Sequence, residues 1–381
     1  IEAGEGLCFI DPHGDAIEDF LSFIPKNRVQ DVVYFNPGDV EHPLGLNFLE
    51  YDPTHPEQKT FIVNELFDIF KKIWRDIPEA FGPMFEQYFR NATLLVMEDP
   101  ESGNTLYEIG RILTDKGFRD YKISQSKNLV VNTFWKEVAE KAGGEASLQN
   151  MVPYISSKFD VFLANEFMRP IILQEKSAFN FREIMDNQKI LLINLSKGRL
   201  GELNSYLLGL IMVGKILMAA LSRGVDVLEN ERKDFYLYID EFQNVTTKSI
   251  ATILSEARKY RLDLTISHQF IGQLEDEIKK SIFGNIGSMI VFRVGSEDGE
   301  FLEKQFLPTF TTSDLINLDN YTCYVKLLMK GKTSMPFSMK TYPPKTGYSE
   351  INNLVKEFSW KNYGRPKADV ENEIRMKLER V

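Results

Sequence analysis

The apolar positions of this chain follow two rhythms, and the places where the rhythm changes divide it. Near the start, GLCFI (6–10) runs into Asp11-Pro12-His13-Gly14-Asp15, a pattern that predicts a buried strand and a tight turn. A one-sided helix is predicted over 16–23 and a second strand over DVVYF (31–35). Strand, helix and strand in so short a stretch make one unit of a parallel α/β sheet. The following segment, 36–53, carries Pro37, Pro43 and Pro53 and reads as loop.

From 56 to about 167 the spacing becomes helical, over 60–74, 84–98, 105–115, 129–141 and 148–167, with breaks at 100–104 and at Gly143-Gly144. A strand-free stretch of that length is too long for an ordinary crossover, so an inserted all-helical domain is expected. The plainer reading, in which these helices only cover one face of the sheet, stays open. Strand character returns at KILLINL (189–195), followed by the turn Ser196-Lys197-Gly198-Arg199 and an apolar helix over 203–223. Further strands are predicted at FYLYI (235–239), at 264–267, at SMIVFR (288–293) and at YTCYVKLLM (321–329). After 349 the chain turns charged, and 367–379 reads as a solvated terminal helix. The expected division is 1–55 and 181–348 for the α/β unit, 56–180 for the helical insertion and 349–381 for a charged tail.

Composition narrows the class only slightly. The chain has 381 residues, and domains of about 100–200 residues make two domains the natural expectation. Its hydrophobic fraction of 43% and charged fraction of 26% are those of an ordinary globular protein. A net charge of −10 gives no general basic footprint, which argues against a protein that coats nucleic acid. It leaves room for one that touches phosphates through a few loops. Cys8 and Cys323 both lie in apolar runs and read as small buried hydrophobes of a reducing compartment. The longest apolar run, 206–221, is interrupted by Lys215 and is shorter than the roughly 20 residues of a membrane span. A buried core helix is expected there.

The candidate chemistry lies between 234 and 269. FYLYI ends on Asp240 and Glu241, which places two carboxylates at the carboxyl edge of a sheet, where open α/β folds bind ligands. In a nucleotide hydrolase the first holds Mg²⁺ through water, and the second takes a proton from the attacking water. A helix over 248–260 carries Arg258 near its end, with Arg261 just beyond. Arg258 suits either a phosphate of a neighbouring subunit or its own helix C-terminus. The next strand delivers His268, which reads as a hydrogen-bonded structural residue, and Gln269. The Gln269 amide is suited to orienting a water or to holding a loop.

No phosphate-binding loop is found. Gly209–Lys215 has the GxxxxGK spacing but Ile216 where a hydroxyl must meet the metal, and it falls inside a helix. Gly331-Lys332-Thr333 has the right ending without the earlier glycine. Four scattered histidines and two distant cysteines make no zinc spacing.

Taken in order, GEGLCFIDPHGD, KILLINLSKGRLGE, YLYIDEFQN, SEARKYRLDLTISHQFIGQL, FGNIGSMIVFRVGSEDGEFLEKQF and NYGRPKADVENEI resemble the coupling-protein branch of the HerA/FtsK-type DNA-pumping ATPases, the motors of conjugation and type IV secretion. That resemblance implies a RecA-like α/β domain with an all-α insertion, ATP and Mg²⁺ as cofactors, and a homo-hexameric ring with nucleotide at the subunit boundaries. It implies DNA, single-stranded or as a DNA–protein complex, as the partner. A cytoplasmic location follows, at the membrane face where the secretion machinery is engaged through an N-terminal region. Residue by residue, Asp240 is similar to the metal-side Walker B acid and Glu241 to the catalytic glutamate. Gln269 is similar to the sensor glutamine and Arg258 to the arginine finger. Asp11 and His13 would lie beside the nucleotide, and Arg293 would approach a neighbour's phosphates or make a structural pair.

In that family the phosphate loop and its strand would precede Gly6. The chain starts Ile1-Glu2-Ala3-Gly4 without a methionine, so a fragment of a longer motor is expected, with little activity alone. The resulting expectation is an ATP-driven DNA translocase. The alternatives are a protein-secretion or pilus-assembly ATPase of the same fold, or a non-catalytic docking adaptor.

Overall fold

A computed structural model describes residues 1–139, 141, 144–343, 345 and 347–379. Gly143 and the last two residues of the expected tail therefore lie outside the described residues, as does Glu140 of the expected helix 129–141. Five strands form a parallel sheet: β1 (Gly6–Asp11), β2 (Val32–Phe35), β3 (Ile190–Asn194), β4 (Phe235–Ile239) and β5 (Leu262–Ile266). Their order is β2-β3-β1-β4-β5, with every pair parallel. The α/β class with a parallel sheet flanked by helices is the one expected.

Strand periodicity sorts the side chains onto two faces. Cys8, Ile10, Val33, Phe35, Leu191, Ile193, Leu237 and Ile239 join the main core. Leu7, Val32, Tyr34, Ile190 and Leu192 pack on the other face with Ile17 and Leu21 of the helix Asp15–Leu21. The connection leaving β1 thus covers one face. The connections leaving β3 and β4, through Glu202–Asp226 and Lys248–Glu256, cover the other. Adjacent strands whose connections part to opposite faces open a crevice at their carboxyl ends, and β1 stands beside that crevice.

Among the described residues, the stretch between β2 and β3 holds helices and no strand. Glu57–Ile73, Pro83–Glu98 and Leu106–Thr114 follow the expected spacing closely. A helix not expected, Lys116–Gln125, is anchored by its own buried Lys122, whose ammonium donates to the carbonyls of Val96, Asp99 and Gly103 at 3.0, 2.6 and 2.7 Å. The aromatic centre of this unit, including Phe70, Phe89, Phe159 and Phe162, is continuous with the sheet's main core. Insertion and sheet thus share one apolar interior.

Beyond β5 the sheet expected from sequence becomes two smaller ones. β6 (Met289–Val291), β7 (Thr322–Lys326) and a later strand, Phe337–Lys340, form an antiparallel set with β7 central. The run 321–329 breaks after Lys326. Its end, Leu328–Met329, folds back on Lys332–Thr333 through Lys330 and Gly331. Both turn residues have positive φ, 49° and 76°, as a two-residue hairpin turn requires. Gly331-Lys332-Thr333 is therefore a hairpin, not a phosphate loop.

The tail is less solvated than its composition suggests. Ser349–Tyr363 buries Ile351 and Val355 against the first two strands, and Ser359 Oγ accepts from the Tyr34 amide at 2.9 Å. Lys367–Glu379 buries Val370 and Ile374, one stripe four residues apart on an otherwise charged helix. Its Lys377 reaches Glu108 of the helical unit at 3.2 Å.

Glu202–Asp226 is long and apolar enough to cross a membrane by length and composition, and 83% of its most apolar window is buried in this fold. Gly209 and Gly214 are packing residues within it. A Cβ on Gly209 would stand 2.5 Å from Val245 Cγ1, and one on Gly214 would stand 3.0 Å from Glu65 Cγ. Lys215 is buried, donates to the Glu50 carbonyl at 2.5 Å, and is pushed by that burial down to about 8. The GxxxxGK string is thus interior helix.

Candidate active site at the carboxyl edge of the sheet

Three neighbouring strands, β3, β1 and β4, end at the crevice, and each leaves through a residue with positive φ. These are Gly14 (93°) in the turn after β1, Ser196 (42°) after β3 and Glu241 (44°) after β4. Only Gly14 is a glycine, and a Cβ there would meet Asn194 Oδ1 at 2.1 Å. A left-handed conformation at a residue bearing a Cβ costs about 1–3 kcal/mol and collects at functional sites. The turns interlock through backbone bonds from Leu195 to the Asp11 carbonyl and from Lys197 to the Pro12 carbonyl, at 3.0 and 2.9 Å.

Asp240 and Glu241 follow directly on β4, and the Asp240 amide donates to Ile10 of β1 at 3.0 Å. Both side chains are half-buried. The parallel register pairs Ile239 with Ile266, so Ser267 comes to lie beside Asp240. Its hydroxyl donates to Asp240 Oδ1. Gln269, two residues further on, donates from Nε2 to Glu241 Oε1 at 2.8 Å. On the other side, Gln243 Nε2 donates to Glu241 Oε2 at 2.5 Å. Asp240, Glu241 and Gln269 are thus brought together as their positions in the sequence suggested.

Ser267 and Gln243 were not singled out from sequence. Ser267 follows once the β4–β5 register is known. Gln243 carries no signal beyond its place in the turn after the acid pair.

His268 is partly buried beside this cluster. Burial pushes its imidazole below the ordinary value, against the pull of Asp298 and Glu241. It takes no hydrogen-bonded place between the two acids.

The remaining candidates stand apart. Asp11 is at the same edge, but its Oδ1 accepts the His13 amide at 2.9 Å and its Oδ2 the Ile17 amide at 3.2 Å. That carboxylate shapes the turn and starts the helix, whereas His13 itself is exposed. Arg258 is exposed in the short 3-10 turn Ala257–Tyr260, ahead of β5 and therefore at the amino edge, opposite Asp240. Within one chain it does not reach the acids. Arg261 caps that turn with φ 54° and pairs with Asp234 at 3.2 Å. Arg293, exposed just beyond β6, donates to Asn320 Oδ1 at 3.2 Å.

A cleft of about 520 Å³ opens next to the acid pair, between Pro12, Lys197 and Gln243 on the sheet side and Lys72, Arg75 and Tyr206 on the helical side. No group of three or more metal-ligating side chains occurs among the described residues. The donor set fits Mg²⁺ nonetheless. Magnesium is commonly held by one or two carboxylates with water and substrate phosphates, and Asp240 offers such a carboxylate, oriented by Ser267.

No family model matches the sequence, and no curated protein matches it. Solved structures do. The bacterial conjugative coupling protein TrwB, in its unbound form, superposes with a TM-score of 0.56 at 14% identity, over 91% of this chain and 80% of that one. TrwB in complex with ADP and Mg²⁺ gives 0.58 at 15%, over 92% and 82%. VirB4 of Thermoanaerobacter pseudethanolicus gives 0.50 at 13%, over 90% and 83%. The chain therefore has the RecA-like α/β fold seen in the conjugative coupling protein TrwB.

Proposed function

We propose that this chain is the hydrolytic part of an ATP-driven, Mg²⁺-dependent motor of the coupling-protein type, which moves DNA during conjugation or type IV secretion. The observation that carries the reading is the Asp240–Glu241 pair at the end of β4, with Gln269 donating to Glu241 from the neighbouring strand. The reported complexes of TrwB with an ATP analogue and with ADP and Mg²⁺ support the choice of nucleotide and metal.

In this reading Asp240 holds the water shell of Mg²⁺, and the metal offsets charge on the phosphates. Glu241 accepts the proton of the attacking water, and Gln269 orients that water. Arg258, at the far edge, serves the site of a neighbouring subunit in a ring. Asp11 and His13, in the β1 turn, lie beside the nucleotide.

The grip on the phosphates comes from a strand and loop outside this chain, on the N-terminal side. Among the described residues β5 pairs only with β4, which leaves its outer edge open. An unpaired edge of this kind can accept a further strand.

The test is ATP turnover of the full-length protein with and without single-stranded DNA. Stimulation by DNA is expected. A protein-handling motor of the same fold would turn over ATP and ignore DNA, and a docking adaptor would not turn over ATP at all.

A further inference from the structure

Glu241 is held from two sides. Gln269 Nε2 engages Oε1 at 2.8 Å and Gln243 Nε2 engages Oε2 at 2.5 Å, so each oxygen already accepts one amide N–H, which lowers its basicity and leaves an incoming water one remaining lone pair. The two amides have different anchors. Gln269 extends from the tip of β5, whereas Gln243 belongs to the short turn Phe242–Val245. Its other amide atom, Oε1, is buried without a partner, so the contact with Glu241 is the polar interaction that orients this side chain.

The turn that carries Gln243 is tied to the helical unit. It runs into Thr246, which is buried and whose carbonyl and hydroxyl both accept from Lys72 Nζ, the hydroxyl at 2.8 Å. Thr246 Oγ1 in turn donates to the Gln243 carbonyl at 3.5 Å. Lys72 lies in the last turn of Glu57–Ile73 and also pairs with Glu275 at 3.2 Å. The cleft of about 520 Å³ lies beside this bridge, and Gln243, Asn244 and Val245 of the turn line it together with Lys72.

We propose that Gln243 is a positioning residue that restrains Glu241, and that the Lys72–Thr246 bridge makes this restraint depend on where the helical unit stands. The proposal rests on the ATPase reading and adds its regulation. With the bridge in place, Gln243 occupies Oε2 and turnover is slow. When a bound polymer shifts the end of Glu57–Ile73, the turn follows, Gln243 withdraws, and Oε2 is free. The water oxygen then bonds to the γ-phosphorus, and the bond to the bridging oxygen breaks with its electron pair passing to ADP. The water proton goes to Glu241 Oε2.

The test is made on the full-length protein. Gln243→Ala is expected to raise DNA-independent kcat about tenfold, the worth of one hydrogen bond to a charged group, with KM for ATP unchanged. Lys72→Met should do the same, the double variant should do no more than either alone, and Lys72→Arg should restore wild-type behaviour. A lowered or unchanged kcat in Gln243→Ala, or additive effects, would overturn the proposal. Should Gln243→Ala not fold, Gln243→Met keeps the length of the side chain without its donor.

A second readout does not depend on turnover. The side-chain amide resonance of Gln243, assigned by its loss in the alanine or methionine variant, should move in Glu241→Gln and again in Lys72→Met. If the first shift is absent there is no restraint, and if the second is absent there is no bridge. A wild-type protein that turns over no ATP but shows both shifts would remove the ATPase reading and keep the restraint.

Discussion

Gln269 reaches from the end of one strand to Glu241 at the end of the next and donates to it at 2.8 Å, although 27 residues of turn, helix and strand lie between the two. The parallel register of β4 and β5 makes this possible, because it sets the two strand tips side by side. If Glu241 is the base, Glu241→Gln keeps the shape and an acceptor for one of the two amides but cannot take a proton. Nucleotide binding by the full-length protein should persist while turnover falls by about 10²–10⁴. Equilibrium binding of a fluorescent ATP analogue, measured beside phosphate release, checks both halves. Unchanged release would remove Glu241 from the role.

Ser267 orients the other acid. Its hydroxyl donates to Asp240 Oδ1, so Ser267→Ala leaves the carboxylate in place but free to turn. Loss of a group that orients a metal ligand weakens metal affinity by about 10–100-fold. The Mg²⁺ concentration for half-maximal ATPase should rise accordingly while KM at saturating Mg²⁺ changes little. A Mg²⁺ titration of the variant decides it.

His268 makes the region sensitive to acid. Burial pushes its pKa below the ordinary 6.5, so in the window just below 6.5 the unfolded chain binds the proton that the folded chain refuses. Stability should therefore fall as pH drops through that window. His268→Gln cannot titrate and should flatten the dependence. Urea midpoints of both proteins between about pH 7.5 and about pH 5.5 measure it.

Gly209 lets the long apolar helix lie against the turn that follows the acid pair. A methyl group there would stand 2.5 Å from Val245 Cγ1 and 3.1 Å from Leu195 Cδ1. Gly209→Ala is expected to destabilise the protein by about 1–3 kcal/mol, as overpacking of a well-filled core does. Chemical denaturation reads the change.

Much of this arrangement was legible in the residues. GLCFI, DVVYF and KILLINL are buried on both faces, and FYLYI on one with its tyrosines on the other, so their apolar runs marked β1 to β4 almost to the residue. β5 runs from Leu262, two residues before the apolar stretch that predicted it. Pairing with β4 begins at Phe235, and Arg261 supplies the left-handed turn just ahead. The strand Phe337–Lys340 is exposed throughout, and its alternation of Phe337 and Met339 with polar residues is too short to mark it, so only pairing with β7 reveals it. The expected helix 129–141 begins as an α-helix, Leu129–Thr133, and widens to a π-helix over Phe134–Ala139, where Phe134 and Trp135 turn inward together.

At the site, the acid pair and Gln269 were legible because strand ends are. Arg258 lies at the end of the expected helix over 248–260, in its closing 3-10 turn, and its place ahead of a parallel strand puts it at the amino edge. The partners Gln243 and Ser267 required the three-dimensional register.

The two helices of the tail have a consequence for synthesis. Ser359 completes the hydrogen bonding of Tyr34 in the second strand, and Lys377 reaches back to Glu108. Both contacts join residues made early to residues made late. As the chain leaves the ribosome, the outer side of β2 and an edge of the helical unit stay wet while all the strands are being made. Apolar Val32 and Tyr34 are then open to the wrong neighbour for most of translation, the interval in which nascent chains aggregate or recruit a chaperone.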